Sequence, residues 1–267
     1  MKIWHQSFTE LEVLPAYREA MEQHIRKVVS PGTEVVMHGV RAGTYPSNYP
    51  GTDISYASLF ALHGTQWITQ GLKAQEEGFD AYAMCTLPNP YIREIRSLLD
   101  MPVVGYGEAN MHMACMLGHR FGLMLFIDRM QPLYEEQMVQ YGVRSRCAGI
   151  RPVGFTFNDV LKAWNDPTEL IGRFEASAGQ LIDQGADVII PGEMPLNILL
   201  ATHGVRRIQG VPIMDGIAVT LKMTEMQVQL RQSVGLMQSR QGWMNATPDP
   251  KRVGEVLAFY GLDRSQE

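Results

Sequence analysis

Eight short apolar runs, separated by segments long enough to form helices, constrain the fold of this chain more than any other feature. The runs are KIWHQ, TEVVMHG, FDAYAMC, PVVGY, FGLMLFI, AGIRPVG, ADVIIPG and VPIMDG. They are rich in Val, Ile and Met without regular polar alternation, as in strands that are covered on both faces. Strands that alternate with helices form parallel sheets. The sequence therefore predicts an α/β fold in which helices flank parallel strands.

The two halves of the chain resemble each other. Residues 78–88, GFDAYAMCTLP, and residues 185–195, GADVIIPGEMP, share Gly-x-Asp, an apolar run and a closing Pro. A helix-length segment and a Pro-led strand, MPVVG or VPIMDG, follow each of them. We therefore predict two pseudo-symmetric lobes, each a parallel sheet of about four strands. One lobe takes residues 1–107 and 217–267, and the other takes residues 108–216.

The composition is that of an ordinary globular protein. The chain has 267 residues, of which 45% are hydrophobic and 19% charged, and its formal net charge is −5. A basic excess that would attract nucleic acid is absent. The start, MKIWHQSFTELE, carries acids where a signal peptide needs an apolar run, and no segment approaches the roughly 20 apolar residues of a spanning helix. We expect a cytoplasmic protein that binds neither nucleic acid nor a membrane.

Sequence motifs for cofactors and metals are absent. The three cysteines, Cys85, Cys115 and Cys147, show no CxxC spacing, and the seven histidines form no HExxH motif. The segment GYGEAN at 105–110 lacks the third glycine of a dinucleotide-binding loop, and no GxxxxGK[ST] phosphate loop occurs. We therefore expect neither a metal nor an organic cofactor.

A carboxylate stands at the end of an apolar strand. In ADVIIPGEMP the predicted strand runs into Gly192 and stops at Glu193. Two facing α/β lobes would bring the carboxyl ends of their strands around one crevice, where open sheets of this class bind ligands. Glu193 would lie at the rim of this crevice, with Gly192 as a candidate substrate-binding position. Capping of the following helix by Glu193 is the structural alternative.

Several longer segments point to one family. They are the paired Gly-x-Asp strands, PVVGYGEA, LGHRFGLML, YGVRSRCAGIR, VPIMDGIAVTLKMTE and SRQGWMNATPDPKR. Together they resemble the aspartate/glutamate/hydantoin racemase superfamily, and most closely its hydantoin and allantoin racemases, over nearly the whole chain. The resemblance implies two α/β lobes with the active site between them, without a metal or an organic cofactor.

The chain departs from this superfamily at the positions of its two catalytic cysteines. The resemblance implies one cysteine at the end of the third strand of each lobe, and the pair removes and returns a proton on opposite faces of an acidic carbon. Counting from Gly185, the second cysteine falls on Glu193. Counting the same distance from Gly78, the first falls on Thr86, with Cys85 one place earlier. A slip of one residue would restore Cys85.

Each of these three residues has a candidate role in catalysis. Burial in an apolar crevice would raise the pKa of Glu193 toward neutrality, which suits a general acid or base. Thr86 is a candidate for hydrogen bonding to a substrate, for nucleophilic attack, or for starting a turn. Cys85 is either a reactive thiol or a small buried apolar residue.

Further candidate substrate-binding residues lie in two loops that we expect to overhang the crevice. The resemblance implies that the loop HQSFTE after the first strand grips a carboxylate or a ring amide. The segment 38–56, rich in Gly, Pro and Tyr, is typical of a lid. The candidates from the two loops are Gln6, Ser7, His38, Arg41 and Tyr45. The alternatives are helix capping for Ser7, a structural role for His38 and simple solvation for Arg41.

Three classes of function follow. The first is a racemase-like isomerase that moves a proton on a small cyclic amide or carboxylate, with Glu193 as general acid or base. The second is a hydrolase or lyase in which Glu193 activates water, or Cys85 or Thr86 attacks a carbonyl. The third is a protein that only binds a small molecule. We favour the first class and expect a homo-oligomer.

Overall fold

A computed structural model describes residues 1–47 and 49–262 and contains two parallel β-sheets and one short hairpin. The strands are β1 (Lys2–Gln6), β2 (Glu34–His38), β3 (Ala81–Met84), β4 (Val103–Gly105), β5 (Phe121–Leu125), β6 (Cys147–Pro152), β7 (Val188–Pro191), β8 (Arg207–Ile208) and β9 (Val211–Pro212). The helices are α1 (Pro15–Val28), α2 (Gly51–Ile54), α3 (Ala57–Glu76), α4 (Ile92–Leu98), α5 (Tyr106–Leu117), α6 (Gln131–Gln140), α7 (Phe157–Lys162), α8 (Thr168–Asp183), α9 (Met194–Thr202), α10 (Gly216–Val234) and α11 (Pro250–Phe259).

The first sheet has the strand order β2-β1-β3-β4 and is parallel throughout. Its central strand β1 ends at Gln6, which is paired with His38 of β2 and with Met84 of β3. All four residues of β3 are buried, because helices cover both faces of this strand. The strand ends of β1, β2 and β3 therefore meet at one edge of the sheet.

The second sheet repeats this arrangement with the order β6-β5-β7. Its central strand β5 is fully buried, and Met124 near its end is paired with Pro191 of β7. In both sheets the first strand is central, with the second strand on one side and the third on the other. The α/β class and the parallel pairing predicted from the sequence are confirmed.

The last predicted strand differs from the expectation of four strands in each sheet. Val211–Pro212 pairs antiparallel with Arg207–Ile208, and the tight turn between them has positive φ at Gln209 and Gly210. Pro212 has no N–H to donate to a sheet. The chain therefore joins the second sheet only at Ile213, through a single parallel bridge to Ile189. The second sheet has three strands and this bridge.

One hydrophobic cluster extends through both sheets. It includes Trp4 and Tyr82 from the first sheet and Leu123 and Ile190 from the second. The hydroxyl of Tyr106, at the start of α5, donates a hydrogen bond of 2.6 Å to the carbonyl of Pro191. This buried contact joins the helix that follows β4 to the end of β7. Within residues 1–47 and 49–262, no helix combines the length and the apolar character needed to cross a membrane.

Candidate active site

Backbone hydrogen bonds fix the register of the two third strands. In the first sheet, the N–H of Cys85 donates to the carbonyl of Gln6 at 2.8 Å. In the second, the N–H of Gly192 donates to the carbonyl of Met124 at 2.9 Å. Cys85 and Gly192 therefore occupy equivalent positions, each one residue beyond its strand. The residues that follow them, Thr86 and Glu193, are equivalent as well.

The two strand ends approach each other closely at Gly192. A Cβ atom on this glycine would lie 2.4 Å from the carbonyl oxygen of Met124 and 2.8 Å from the Cδ2 atom of Leu87. Leu87 directly follows Thr86, so the end of the first sheet's third strand packs against the end of the second's. Gly192 is needed for this close packing, which brings Thr86 and Glu193 to one cavity.

The cavity between the strand ends has a volume of about 50 Å³ and mostly apolar walls. Its described lining consists of Ser7, Phe8, Thr9, Tyr49, Pro50, Gly51, Ile54, Cys85, Thr86, Phe126, Ile127, Phe157, Glu193, Met194 and Pro195. These residues come from loops and helix starts that follow the strands of both sheets. None of them is Lys, Arg or His, so this lining offers no side-chain cation to an anionic substrate.

The side chain of Glu193 does not cap the helix that follows it. It occupies the residue before α9, yet its side chain makes no capping hydrogen bond. Its Oε1 atom instead accepts a hydrogen bond of 3.4 Å from the N–H of Phe126. Burial raises the pKa of Glu193 to about 7, and the Phe126 N–H opposes this shift only in part. By contrast, Asp215 caps α10 by accepting the N–H of Ala218 at 3.1 Å.

Thr86 is more accessible than the thiol beside it. Thr86 retains 9% of its surface, whereas Cys85 retains 0%. Burial also raises the pKa of the Cys85 thiol, because a thiolate would be poorly solvated there. Cys85 is therefore a neutral thiol enclosed by protein, and Thr86 presents the more accessible polar side chain at this strand end.

The loop after β1 contributes one of its two predicted residues to the cavity. Ser7 lines the cavity, and its Oγ atom also accepts the N–H of Thr9 at 3.1 Å. Gln6 is fully buried and its amide is occupied within the protein. The side-chain oxygen of Gln6 accepts the indole N–H of Trp4 at 2.9 Å, and its nitrogen donates to the carbonyl of Gly39 at 3.0 Å.

The other predicted binding residues lie outside the lining of the Glu193 cavity. His38 stacks on Trp4 with ring centroids 3.3 Å apart, and burial lowers its pKa to about 4. Together with Arg41 it lines a different cavity of about 210 Å³. Tyr45 is buried, and its ring packs edge-on against His63. Substrate binding by these residues stays a prediction.

The segment expected to overhang the crevice does so through residues that the sequence did not single out. Tyr49, Pro50 and Ile54 line the cavity, whereas Tyr45 does not. The composition of the segment could indicate a lid but not which tyrosine faces the cavity. Phe126 and Phe157 were also missed, although both follow strands at the edge of the sheet where ligands bind.

No group of three or more His, Cys, Asp or Glu side chains is placed to hold a metal ion within the part of the chain that the structure describes. Asp53 and His63 form an isolated pair, 3.0 Å apart, that joins α2 to α3. His24 and Asp215 form a second pair at 2.8 Å, at the start of α10. Each pair connects two structural elements.

Known proteins are similar to this chain in sequence and in structure. Residues 15–224 match the family described as Asp/Glu/Hydantoin racemase. A hydantoin racemase of Pseudomonas sp. (strain NS671) is 26% identical over 196 residues, which cover 72% of this chain and 74% of that protein.

Two solved structures share the fold over almost their full length. The allantoin racemase from Klebsiella pneumoniae superposes with a TM-score of 0.76 and 25% identity, covering 93% of this chain and 94% of that one. The allantoin racemase from Pseudomonas fluorescens gives a TM-score of 0.73 and 26% identity, covering 94% and 98%. The chain belongs to the Asp/Glu/hydantoin racemase family.

Proposed function

We propose that this protein is a racemase-type enzyme that moves a carbon-bound proton of a small neutral cyclic amide, with Glu193 as general acid and base. The observation that carries the proposal is the position of the Glu193 carboxyl group and its raised pKa. Its carboxyl group lies in an apolar cavity between the two sheets, does not cap its helix, and has its pKa raised to about 7 by burial. A group with this pKa can both accept and return a proton near neutral pH.

The cavity lining favours an uncharged substrate. Its described residues include one carboxylate and no cation, so a substrate carboxylate would be buried beside Glu193 without a partner. An amide ring needs only hydrogen bonds and apolar contacts. The relatives named hydantoin racemase and allantoin racemase support the same class of substrate. Aspartate and glutamate, which carry two carboxylates, fit this lining poorly.

The proposed reaction begins when the Glu193 carboxylate removes the hydrogen from the carbon beside a ring carbonyl. The electron pair of the C–H bond moves onto the carbonyl oxygen, and Glu193 becomes neutral. The hydroxyl of Thr86 is a candidate donor to the substrate from the opposite strand end. The electron pair then returns from the oxygen to the carbon, which takes a proton back from neutral Glu193, so that the amide and the carboxylate are both restored. Inversion requires the planar intermediate to turn its other face to Glu193 before this return. Because the protein supplies the base, we propose that neither a metal nor an organic cofactor takes part.

We propose that the lid, residues 49–56, moves when the substrate enters. The cavity volume of about 50 Å³ is far below the roughly 300–1,000 Å³ of a typical ligand pocket. Residues 49–54 form one wall, and they belong to the short helix α2 and the loop before it. Displacement of this segment would open the cavity without disturbing either sheet.

Glu193→Gln tests the proposal, because it preserves size and hydrogen bonding but removes the base. We expect turnover of hydantoins and related cyclic amides to fall by at least about a hundredfold. Chiral chromatography would follow inversion, and mass spectrometry would detect any ring-opened product. Retained activity in Glu193→Gln would contradict the proposal. Cleavage of the ring by the wild type would instead support the hydrolase alternative, with Glu193 activating water.

A further inference from the structure

Tyr49 is the aromatic residue of the lid that carries a hydroxyl group into the lining of the Glu193 cavity. Its ring lies directly over Gly51. A Cβ atom on Gly51 would lie 2.2 Å from the Cζ atom of Tyr49 and 2.4 Å from its hydroxyl oxygen. The absence of a side chain at position 51 therefore allows the phenol to fold inward.

The phenol of Tyr49 lies within electrostatic range of the catalytic carboxylate. Burial, and then the negative charge of Glu193, raise the pKa of Tyr49 to about 12. The phenol is thus a neutral O–H donor over the whole physiological range. The described lining also carries the hydroxyls of Ser7, Thr9 and Thr86. The Oγ atom of Ser7 accepts the N–H of Thr9 and keeps its own O–H. Tyr49 is the hydroxyl donor that the lid contributes.

The lid that carries Tyr49 is fastened to both halves of the chain. Asp53 of α2 and His63 of α3 are 3.0 Å apart, which ties the lid to the first half. The guanidinium group of Arg129 lies 4.9 Å from the ring centre of Tyr56, which ties the end of the lid to the second half. Tyr49 is therefore held over the cavity when both contacts are made.

We propose, on the basis of the function proposed above, that Tyr49 is a catalytic residue that stabilises the charged intermediate. Its O–H donates a hydrogen bond to the carbonyl oxygen that becomes negative when Glu193 takes the carbon-bound proton. The C–H electron pair moves onto that oxygen, the proton moves to Glu193, and Tyr49 keeps its own proton. A donor aimed at developing charge in an enclosed site acts mainly on kcat.

Tyr49→Phe tests this role, because it removes only the oxygen. We expect kcat to fall by about a hundredfold, the scale for loss of one such donor, while KM changes by less than about threefold. Tyr56→Phe is the matched control, since Tyr56 is 51% exposed and outside the lining, and phenylalanine keeps the ring that Arg129 contacts. We expect it to keep the wild-type kcat.

Gly51→Ala provides an independent test, because it moves the Tyr49 side chain without changing its chemistry. The added methyl group would displace the Tyr49 ring, so we expect a loss of kcat in the direction of Tyr49→Phe. If Tyr49→Phe keeps the wild-type kcat while Glu193→Gln is inactive, the role of Tyr49 is overturned and the proposed function is not. A rise in KM at constant kcat would overturn it too. A wild type that moves no carbon-bound proton would overturn the proposed function itself.

A second inference concerns the C-terminal arm, residues 241–262, which leaves the body of the protein after α10. Residues 238–240, the root of the arm, are fixed to the body of the protein. Gln238 donates to the carbonyls of Leu99 and Met101, and Arg240 donates to the carbonyl of Arg96. Beyond this root the arm is uncovered. Helix α11 has no buried residue, although its sequence is amphipathic.

The arm exposes large aromatic side chains. Trp243 is 90% exposed, Phe259 81% and Tyr260 68%. A helix of only 10 residues is marginal in water unless its apolar face is packed. Three such aromatics together present on the order of 500 Å² of surface, which is typical of an interaction site.

The same chain offers a groove beside the root of the arm. It has a volume of about 600 Å³ and runs between the end of α10 and the segment that follows. Its apolar lining includes Met226, Leu230, Leu236 and Met237. A protruding amphipathic helix and a partly apolar groove on one chain are the two halves of a reciprocal contact.

We infer that the arm packs against a second copy of this chain, in an exchange in which each copy receives the arm of the other. Each copy would then bury its own arm and the groove that receives its partner's, on the order of 1,000 Å². This exceeds the roughly 800 Å² per partner of a standard interface.

Sedimentation of the full chain tests this inference. We expect the wild type to assemble and the double variant Phe259→Ser/Tyr260→Ser to sediment as a monomer with its fold intact by circular dichroism. Leu62→Ser is the control, since Leu62 is 66% exposed on α3 and should not affect assembly. A monomeric wild type, whether its arm folds back or awaits another protein, would overturn the inference. Assembly that survives the double variant would do so as well.

Discussion

At the scale of single residues, Glu193 should make the protein less stable where it is ionised. Its folded-state pKa is raised from 4.5 to about 7, so the folded state binds its proton more tightly than the unfolded state does. The penalty is absent below about pH 4.5, grows as pH rises, and is complete above about pH 7. A shift of this size corresponds to at most about 3 kcal/mol.

Glu193→Gln should therefore raise the free energy of unfolding by up to about 3 kcal/mol at pH 8.5 and by little at pH 4.5. Urea denaturation of both proteins at the two pH values measures this difference. Glu175→Gln, on the exposed side of α8, is the control and should have no comparable effect. Equal stability of wild type and Glu193→Gln at pH 8.5 would show that the carboxylate is not buried as described.

The pair Cys85 and Thr86 should differ in their importance for turnover. Cys85 is fully buried with a raised pKa, so Cys85→Ser should change kcat by less than about threefold, and alkylation of the thiol should be slow. Thr86→Val removes the accessible hydroxyl at nearly constant shape and should lower kcat/KM by about tenfold or more. Rapid inactivation by iodoacetamide, with protection by substrate, would assign the chemistry to Cys85 instead.

At the scale of elements, the contact between the two third strands depends on the absence of a side chain at position 192. Gly192→Ala would place a methyl group 2.4 Å from a backbone carbonyl, which cannot move without disturbing β5. We expect a loss on the order of 1–3 kcal/mol in the free energy of unfolding. Gly172→Ala is the control, because nothing lies within 4 Å of its added Cβ on α8. Thermal denaturation should show a lower Tm for the first variant and an unchanged or higher Tm for the second.

Strands were the most predictable elements, because burial on both faces gives them continuous apolar runs. Seven of the eight runs form strands of the two parallel sheets, and VPIMDG forms a hairpin strand instead. That run has the composition of a strand, but Pro212 and the turn at Gln209 decide its pairing. Apolar composition predicts that a strand exists, whereas its partner depends on turn geometry and on missing N–H groups.

At the scale of the whole molecule, the sequence predicted which residues stand at the strand ends, but it did not predict which loop residues line the cavity. The internal repeat places Thr86 and Glu193 at equivalent positions, and the hydrogen bonds at the two strand ends agree. The sequence could not show that Tyr49, rather than the predicted Tyr45, lines the cavity. The carboxylate of Glu10, far away in sequence, accepts the N–H groups of Gly43 and Tyr45 and thereby fixes which tyrosine faces the cavity.

We propose that residues from both halves of the molecule act in one chemical step, the removal of a carbon-bound proton by Glu193. The most direct measurement is the exchange of that hydrogen with deuterated water in a neutral 5-substituted hydantoin, followed by NMR across pH 5 to 9. We predict exchange that rises through about pH 7 as Glu193 ionises, levels off above it, and falls at least about a hundredfold in Glu193→Gln. Exchange at the same rate in Glu193→Gln would contradict the account.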